Sequence, residues 1–368
     1  MASPPKYITG DKAALNEFID KFDVRQFPPP YYALPAPPTF LFDCDGVLWS
    51  GDHVFDGVPE TIRMLKARGL APPLPQTNMA LPPLSLLLFC SAPPRFPEKV
   101  WAKPCLILDP PPPKKGKRTV FVTNNSTKSR QDYVSKLSNL HIPCETEDVF
   151  GSSYSAAFYI SRILQLPPGK NKVFVLGEVG VETELTAMGI PCIGGTDEKF
   201  RRDVTPEDFK GLADGSLLDP EVGAVLCGLD FHVNYLKLCT GMHYLRNGAV
   251  FLATNTDSTL PMHQSFFVGA GSCLAPLEYS SGRKPLVLGK PSQAMMDAVE
   301  GKFQLDRSRT CMIGDRLNTD IKFGVEGKLG GTLHVLTGVH KKEDWDREDA
   351  VAVPAYYADK LSDLGLVA

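Results

Sequence analysis

Two aspartates, Asp43 and Asp45, follow a short apolar run and precede a glycine, Gly46. Two carboxylates at this spacing can face one site, where one stays ionised as a nucleophile and the other acts as acid and then base. The same residue types are common in solvated turns and form half of a calcium-binding loop. The residues after Gly46 do not supply the other calcium ligands in register. The pair alone therefore leaves two interpretations open, a catalytic site and a turn.

A second polar cluster, Thr123, Asn124 and Asn125, follows another apolar run and precedes a predicted helix. Its hydroxyl, amides and backbone N–H groups suit an anion at a helix N-terminus. The same residues are also ordinary in a helix cap or a turn. This cluster therefore predicts a phosphate site only if other residues support it.

Two later clusters supply a cation and further carboxylates. Lys290 follows Gly289 after an apolar run, where it can neutralise a phosphate or lie on the surface as most lysines do. Asp315 follows the run TCMIG, and Asp320 is either a further carboxylate of the site or an exposed helix residue. Together, Asp43, Asp45 and Asp315 form a set of oxygen ligands suited to Mg²⁺. The metal and Lys290 would let a carboxylate approach a phosphate dianion, as phosphoryl transfer requires.

The clusters require a parallel α/β sheet to bring them together, since ligands bind at the carboxyl ends of parallel strands. Short apolar runs alternate with helical periods along the chain, which is typical of this class. Candidate strands are Thr39–Asp43, Thr119–Thr123, Lys172–Leu176, Gly223–Cys227, Ala249–Thr254, Leu286–Leu288, Thr310–Ile313 and Thr332–Leu336.

Four segments, FLFDCDGVLW, VFVTNNSTKSR, LVLGKPSQ and MIGDRLNTDIKFG, together resemble the motifs of the haloacid dehalogenase superfamily of phosphatases. The resemblance is closest to the fungal 4-nitrophenylphosphatase and phosphoglycolate phosphatase group, which is similar to pyridoxal phosphatase. It extends from about Phe18 to Leu364, apart from a proline-rich stretch. It implies a Rossmann-like parallel-sheet core with a large α/β cap of the C2 type.

The resemblance also implies a role for each cluster. Asp43 would be the nucleophile that becomes an aspartyl phosphate, and Asp45 would protonate the leaving alcohol and then activate water. Mg²⁺ would be held by Asp43, the backbone carbonyl of Asp45, and Asp315, with Asp320 behind them. The transferring phosphoryl group would be held by Thr123, Asn124, Asn125 and Lys290. Small phosphorylated metabolites such as 2-phosphoglycolate, and the surrogate 4-nitrophenyl phosphate, would be the substrates.

By the same resemblance, residues 143–262 would form the cap and residues 1–142 and 263–368 the two parts of the core. His232 matches the position of a cap histidine that faces the substrate in pyridoxal phosphatase, although a histidine at a helix start is often only a cap. The cap would also mediate homodimerisation.

Composition narrows the classes of protein further. The 368 residues carry a net charge of −3, which excludes a strongly basic nucleic-acid binder, and no apolar window is long enough to span a membrane. Nine cysteines without a CxxC pair favour reduced thiols, and no targeting signal is recognisable at the N-terminus, so a cytoplasmic location is expected.

Proline is concentrated in one stretch, with 13 of the 33 prolines between Ala71 and Pro113. Proline cannot continue a helix or an inner strand, and a strand should follow the helix predicted at Val58–Arg68 within about 2–6 residues. Removing residues 70–116 would restore a normal connection from Gly69 to Lys117. We therefore interpret 70–116 as an insertion, either a disordered ligand for a partner domain or retained intron sequence in the gene model.

Two rival functions differ in their support. A dinucleotide-binding oxidoreductase would need a complete glycine fingerprint, and Gly269-Ala270-Gly271-Ser272 lacks its third glycine. A folded binding protein of the same superfamily, with activity impaired by the insertion, is the alternative that residues 70–116 support.

Overall fold

The computed structural model describes residues 4–23, 37–68, 116–262 and 265–367. Apart from Gly116, the predicted insertion at 70–116 lies outside the described residues. Within the described part of the chain, no helix combines the length and the apolar character that crossing a membrane requires.

The elements alternate between strands and helices through most of the described chain. The strands are β1 (Lys6–Tyr7), β2 (Thr39–Phe42), β3 (Trp49–Ser50), β4 (His53–Val54), β5 (Arg118–Thr123), β6 (Val149–Gly151), β7 (Lys172–Leu176), β8 (Cys192–Gly194), β9 (Val222–Cys227), β10 (Val250–Ala253), β11 (Thr259–Met262), β12 (Ser265–Val268), β13 (Leu286–Val287), β14 (Thr310–Gly314), β15 (Gly331–Val335) and β16 (Tyr356–Ala358). The helices are α1 (Lys12–Lys21), α2 (Val58–Ala67), α3 (Arg130–Asn139), α4 (Ser152–Tyr159), α5 (Val179–Ala187), α6 (Pro206–Asp214), α7 (Tyr235–Arg246), α8 (Ala270–Ser281), α9 (Gln293–Phe303), α10 (Lys322–Glu326) and α11 (Lys342–Trp345).

Seven parallel strands form the larger sheet, in the order β1-β16-β15-β14-β2-β5-β6. Its central strands are buried throughout, because helices cover both faces of a parallel sheet and leave no face for polar side chains. In the register of β14 and β2, Ile313 lies opposite Phe42. The residues that follow these two strands therefore leave the sheet side by side.

Five parallel strands form the smaller sheet, in the order β13-β10-β9-β7-β8. Two further strand pairs among the described residues are antiparallel, β3 with β4 and β11 with β12. The predicted α/β architecture is confirmed, and each predicted strand lies within one or two residues of an observed one.

The division into core and cap at residues 142 and 262 stays a prediction, and two short strands that follow these boundaries have the following sheet partners. Strand β6, at Val149–Gly151, pairs with β5 in the larger sheet, and β13, at Leu286–Val287, pairs with β10 in the smaller one. Val149–Gly151 therefore belongs to the larger sheet, and Leu286–Val287 belongs to the smaller one. Strands of two and three residues are too short to show a periodicity, so the sequence does not reveal which sheet they join.

The described residues on either side of 69–115 contact each other. Helix α2 ends at Ala67, and the Lys117 N–H donates to the carbonyl of Leu65 at 3.2 Å. The next residue, Arg118, donates to the carbonyl of Pro38 at 2.8 Å and begins β5. The end of helix α2 and the start of strand β5 are thus in direct contact.

Candidate active site

Asp43 and Asp315 leave the larger sheet at adjacent strand ends. Asp43 follows β2, and its N–H donates to the carbonyl of Ile313 in β14 at 2.9 Å. Asp315 follows β14 and is 1 % exposed, while Asp43 is 9 % exposed. The pairing of two buried strands thus brings two carboxylates together at the edge where the sequence predicted a site.

Lys290 provides the positive charge of this site, although it comes from the smaller sheet. It follows β13, and its Nζ lies 2.7 Å from Asp43 Oδ1 and 2.7 Å from Asp320 Oδ1. The ammonium also donates to the carbonyl of Val122 in β5 at 2.8 Å. Burial lowers the pKa of Lys290, but attraction to Asp320 and Asp43 outweighs burial and raises the pKa overall. The lysine therefore stays protonated and joins the two sheets.

Burial is also the main influence on the carboxylates. It raises the pKa of Asp43 well above its usual range, despite the opposing attraction of Lys290. Burial, together with repulsion from Asp320, raises the pKa of Asp315 to about 7. A site with more carboxylates than cations holds protons tightly, which is expected of a site that takes up a cation.

The residues present fit a magnesium ion. Asp43, Asp315 and Asp320 each bring a carboxylate oxygen within 4.8 Å of the others. The Val339 N–H donates to Asp315 Oδ2 at 2.7 Å, while the buried Asp315 Oδ1 has no hydrogen-bond partner among the described residues. An orphaned buried carboxylate oxygen is costly unless a cation binds it.

Asp320 is held more completely by the protein than Asp315 is. Its Oδ2 accepts from the N–H groups of Asp315 at 3.2 Å and Arg316 at 3.1 Å, and its Oδ1 pairs with Lys290. These contacts favour a position behind the metal ligands rather than among them. Asp320 therefore orients the Asp315 backbone and the lysine.

Glycines allow the close packing around Asp315. A Cβ on Gly46 would lie 2.5 Å from Asp315 Oδ2, and one on Gly338 would lie 1.9 Å from the same oxygen. Gly46 also has a φ of +84°, which disfavours other residues there. The turn after Asp45 is therefore restricted to glycine by both space and backbone conformation.

The side chain of Asn124 holds the backbone of Lys290 in place. Its Oδ1 accepts from the N–H of Lys290 at 2.8 Å, and its Nδ2 donates to the Lys290 carbonyl at 3.0 Å. The same Nδ2 lies 3.2 Å from both carboxylate oxygens of Asp257. These contacts support a positioning role for the Asn124 side chain, and a phosphate contact by this residue stays a prediction.

Thr123 and Asn125 shape the loop after β5. Thr123 Oγ1 accepts from the Asn125 N–H at 3.1 Å and lies 3.3 Å from the hydroxyl of Tyr133. Asn125 Oδ1 accepts from the N–H of Thr127 at 2.9 Å and from its hydroxyl at 2.8 Å. The loop is thus fixed by its own side chains before any ligand binds.

Asp45 follows Asp43 by two residues at the carboxyl end of β2 and is half-buried. The indole Nε1–H of Trp49 donates to Asp45 Oδ1 at 2.8 Å. Trp49 is fully buried and begins the β3–β4 hairpin. The second carboxylate of the pair is therefore oriented by a side chain four residues later.

His232 lies in a second cluster, with Glu178 and Asp230. Its Nδ1 is 3.3 Å from Glu178 Oε1, its N–H donates to Asp230 Oδ1 at 2.8 Å, and its side chain is 52 % exposed. Asp230 is fixed in turn by the buried Lys237, whose Nζ lies 2.7 Å away. The exposed imidazole thus stands on a rigid loop, and its contact with substrate stays a prediction.

Sequence reasoning missed Asn255, Asp257 and Trp49. Asn255 Nδ2 donates to the carbonyl of Asn124 at 2.7 Å, and Asp257 faces the Asn124 amide. Both follow the predicted strand Ala249–Thr254, so the rule of polar residues after strand ends could have found them. Trp49 offered no such signal, because a tryptophan after an apolar run usually belongs to the core.

Comparisons with known proteins agree with this geometry. Residues 40–191 match the family model described as haloacid dehalogenase-like hydrolase, and residues 287–364 match a second model of that kind. The chain is 40% identical to the 4-nitrophenylphosphatase of Schizosaccharomyces pombe over 365 residues, covering 99% of this chain and 97% of that protein. It is 37% identical over 330 residues to the chloroplastic phosphoglycolate phosphatase 1A of Arabidopsis thaliana, covering 88% and 75%.

Solved structures show the same arrangement of elements. A hypothetical protein from Pyrococcus horikoshii is 28% identical with a TM-score of 0.64, and the match covers 89% of this chain and 97% of the other. A glycerol phosphate phosphatase from Mycobacterium tuberculosis, in complex with magnesium, is 25% identical with a TM-score of 0.62, covering 89% and 76%.

Proposed function

Because this chain belongs to the haloacid dehalogenase-like hydrolases and is a phosphatase, we propose that it hydrolyses small phosphate monoesters through a covalent intermediate on Asp43. The family resemblance found in the motifs is thereby confirmed. The observation that carries the proposed mechanism is the contact of the Lys290 ammonium with both Asp43 and Asp320, beside the orphaned oxygen of Asp315.

The proposed reaction has two displacements at phosphorus. A carboxylate oxygen of Asp43 bonds to phosphorus while the bond to the alcohol oxygen breaks and Asp45 gives its proton to that oxygen. Asp45 then takes a proton from water, whose oxygen bonds to phosphorus while the bond to Asp43 breaks. Inorganic phosphate leaves, and both aspartates return to their starting states.

Charge neutralisation is the main work of the surrounding residues. Asp43 must be ionised to attack, and burial opposes its ionisation while Lys290 favours it. A bound magnesium ion, held by Asp43, the backbone carbonyl of Asp45, and Asp315, would supply further positive charge for the phosphoryl oxygens. Lys290 holds the nucleophile, and the loop of Thr123, Asn124 and Asn125 would hold the phosphoryl group with its N–H and hydroxyl groups.

We expect magnesium to raise the thermal midpoint of the metal-free protein. Ligand that binds only the folded state stabilises it by about 2.7 kcal/mol at 100 times its Kd. The pKa of Asp315, about 7, makes protons compete with the metal, so the stabilisation should grow as the pH rises from about 6 to 8. Differential scanning fluorimetry at fixed MgCl₂ measures this, with Asp315→Asn as the variant that should lose the response. A magnesium response unchanged in that variant would contradict the assigned site.

The substrates proposed are small phosphorylated metabolites such as 2-phosphoglycolate, together with 4-nitrophenyl phosphate. The names of the two similar enzymes support this class. We further propose that His232, whose exposed ring stands on a fixed loop of the smaller-sheet part, contacts the substrate outside the phosphate. Phosphate release from a panel of metabolites with Mg²⁺ tests the proposal. Release from none of them would favour the alternative, a binding protein impaired by residues 70–116.

We expect a variant lacking residues 70–116 to fold and to keep the activity of the full chain or exceed it. The Lys117 N–H donates to the carbonyl of Leu65, so the described residues on either side of the stretch already meet at a helix-to-strand corner. Joining Gly69 to Lys117 then gives a connection of ordinary length. Thermal midpoints and kcat/KM of both chains measure the effect, and a deletion variant that is insoluble or inactive would show that the stretch is needed. Peptides from residues 100–114 in the native protein would exclude the retained-intron interpretation.

We further propose a homodimer through the smaller-sheet part and a cytoplasmic location. The aromatic side chains of Phe209, Phe231 and Tyr235 are half or more exposed there, and rings of this size favour burial by a second copy. The cysteines among the described residues are all free thiols, as a reducing compartment would keep them. Sedimentation velocity distinguishes a dimer from a monomer, and fluorescence microscopy of the tagged protein tests the location.

A further inference from the structure

We propose that Trp49 is a positioning residue that determines which oxygen of Asp45 carries the catalytic proton. The inference rests on the proposed function, in which Asp45 alternates between acid and base. It starts from the hydrogen bond of 2.8 Å from Trp49 Nε1 to Asp45 Oδ1.

An indole N–H is a donor only, because its nitrogen has no lone pair available to accept. Asp45 Oδ1 therefore cannot direct a proton towards Trp49 and must act as the acceptor. The carbonyl oxygen of a protonated carboxyl group is a better acceptor than its O–H oxygen, so this N–H favours the proton on Oδ2 when Asp45 is protonated, and when Asp45 is ionised the same N–H still binds Oδ1. The hydrogen bond thus persists through both displacements, and Oδ2 is the oxygen that exchanges protons with the alcohol and the water.

The tryptophan is itself held on all sides, so it can impose this orientation. Its ring stacks against Tyr133 with centroids 6.5 Å apart, and the Lys136 Nζ lies 4.3 Å from the ring centroid on a face. The Lys136 ammonium is anchored on the carbonyl of Gly51 at 3.0 Å, and the Gly46 N–H donates to the Trp49 carbonyl at 2.8 Å. A cation over an indole withdraws electron density from the ring, which strengthens the N–H as a donor.

The test is the ratio of kcat/KM for two substrates in Trp49→Phe, which keeps an aromatic ring and removes the N–H. An alkyl alcohol is a poor leaving group and needs the Asp45 proton, while 4-nitrophenolate leaves without it. We expect kcat/KM to fall about 10-fold or more for the best alkyl phosphate of the panel and less than about 3-fold for 4-nitrophenyl phosphate. Both substrates are measured in one preparation, so the ratio is independent of the fraction of folded enzyme.

Trp345→Phe is the matched control, because Trp345 is also buried and its indole Nε1 has no hydrogen-bond partner among the described residues. We expect the substrate ratio of this variant to equal that of the wild type. Equal losses for both substrates in Trp49→Phe would overturn the positioning role and leave the phosphatase mechanism intact. A wild type that hydrolyses neither substrate would instead overturn the proposed function.

Discussion

Asp43→Asn is expected to abolish phosphate release, with kcat at least about 1,000-fold below the wild type for every substrate. An amide nitrogen or oxygen at this position cannot form the phosphoenzyme, and the remaining groups supply only binding and charge. The variant differs from the wild type by one oxygen and one charge in a site that already contains three clustered carboxylates. A colorimetric phosphate assay with 4-nitrophenyl phosphate measures the loss.

The variant should nevertheless fold, which separates loss of chemistry from loss of structure. The Lys290 ammonium keeps its contacts with Asp320 and with the Val122 carbonyl when Asp43 is neutral. Burial already raises the pKa of Asp43, so removing its charge relieves repulsion from Asp320 and Asp315. We therefore expect a thermal midpoint equal to or above that of the metal-free wild type. A folded Asp43→Asn enzyme with near wild-type turnover would refute Asp43 as the nucleophile.

Lys290→Met is expected to lower kcat about 100- to 1,000-fold, as when one preorganised charge-stabilising donor is removed from an active site. It is also expected to destabilise the protein by about 3–5 kcal/mol, because it leaves buried carboxylates without their cation. The lysine is 2 % exposed and contacts both sheets, so solvent does not replace its charge. Urea unfolding and steady-state kinetics measure the two effects.

The stability loss of Lys290→Met should depend on pH in a defined direction. Acids whose folded-state pKa is raised bind more protons in the folded than in the unfolded state, so stability falls as the pH rises through the folded pKa. The pKa values of Asp43 and Asp315 are already raised, that of Asp315 to about 7, and the loss of the Lys290 charge raises both pKa values further. We expect the free energy of unfolding of the variant to be closest to that of the wild type near about pH 5 and to fall furthest below it above about pH 7.

Lys117→Met provides the matched control for a buried lysine outside the site. The Lys117 Nζ donates to the carbonyl of Ile19 at 3.0 Å and to Asp23 Oδ1 at 2.6 Å. The substitution should destabilise the protein, because it removes a buried ammonium with two partners. It should leave kcat of the folded enzyme within about 3-fold of the wild type, because Lys117 lies outside the candidate active site. Equal kcat losses in the two variants would show that Lys290 acts through stability alone.

The sequence was sufficient for the parts of this site that depend on a long apolar strand followed by polar residues. Strands β2, β5 and β14 have four to six residues, so their patterns predicted both the larger sheet and the carboxyl edge at Asp43 and Asp315. Their register then follows from hydrophobic burial, because a shift of one residue would turn buried side chains outward.

Strand partnership could not be predicted in the same way. The run at Leu286–Val287 is recognisable as a strand, but its pairing with β10 depends on packing among residues far apart in sequence. The sequence therefore predicted that Lys290 follows a strand of the core, whereas β13 pairs within the smaller sheet, and its contact with the phosphoryl group stays a prediction. The hydrogen-bond partners of Asn124 and Trp49 could not be predicted either. Each of these side chains could bond to several groups, and only the folded chain determines which group lies within reach.

The pairing of β2 with β14 also determines when a newly made chain can become an enzyme. Thr39 lies opposite Thr310, so a ribosome must add 271 residues after β2 emerges before its partner exists. At about 5–20 residues per second this takes roughly 14–54 s. The strands of the smaller sheet, between Lys172 and Val287, are all synthesised within that interval. A nascent chain therefore keeps one edge of β2 unpaired for tens of seconds, and a chain released early lacks the strand that positions Asp315 beside Asp43.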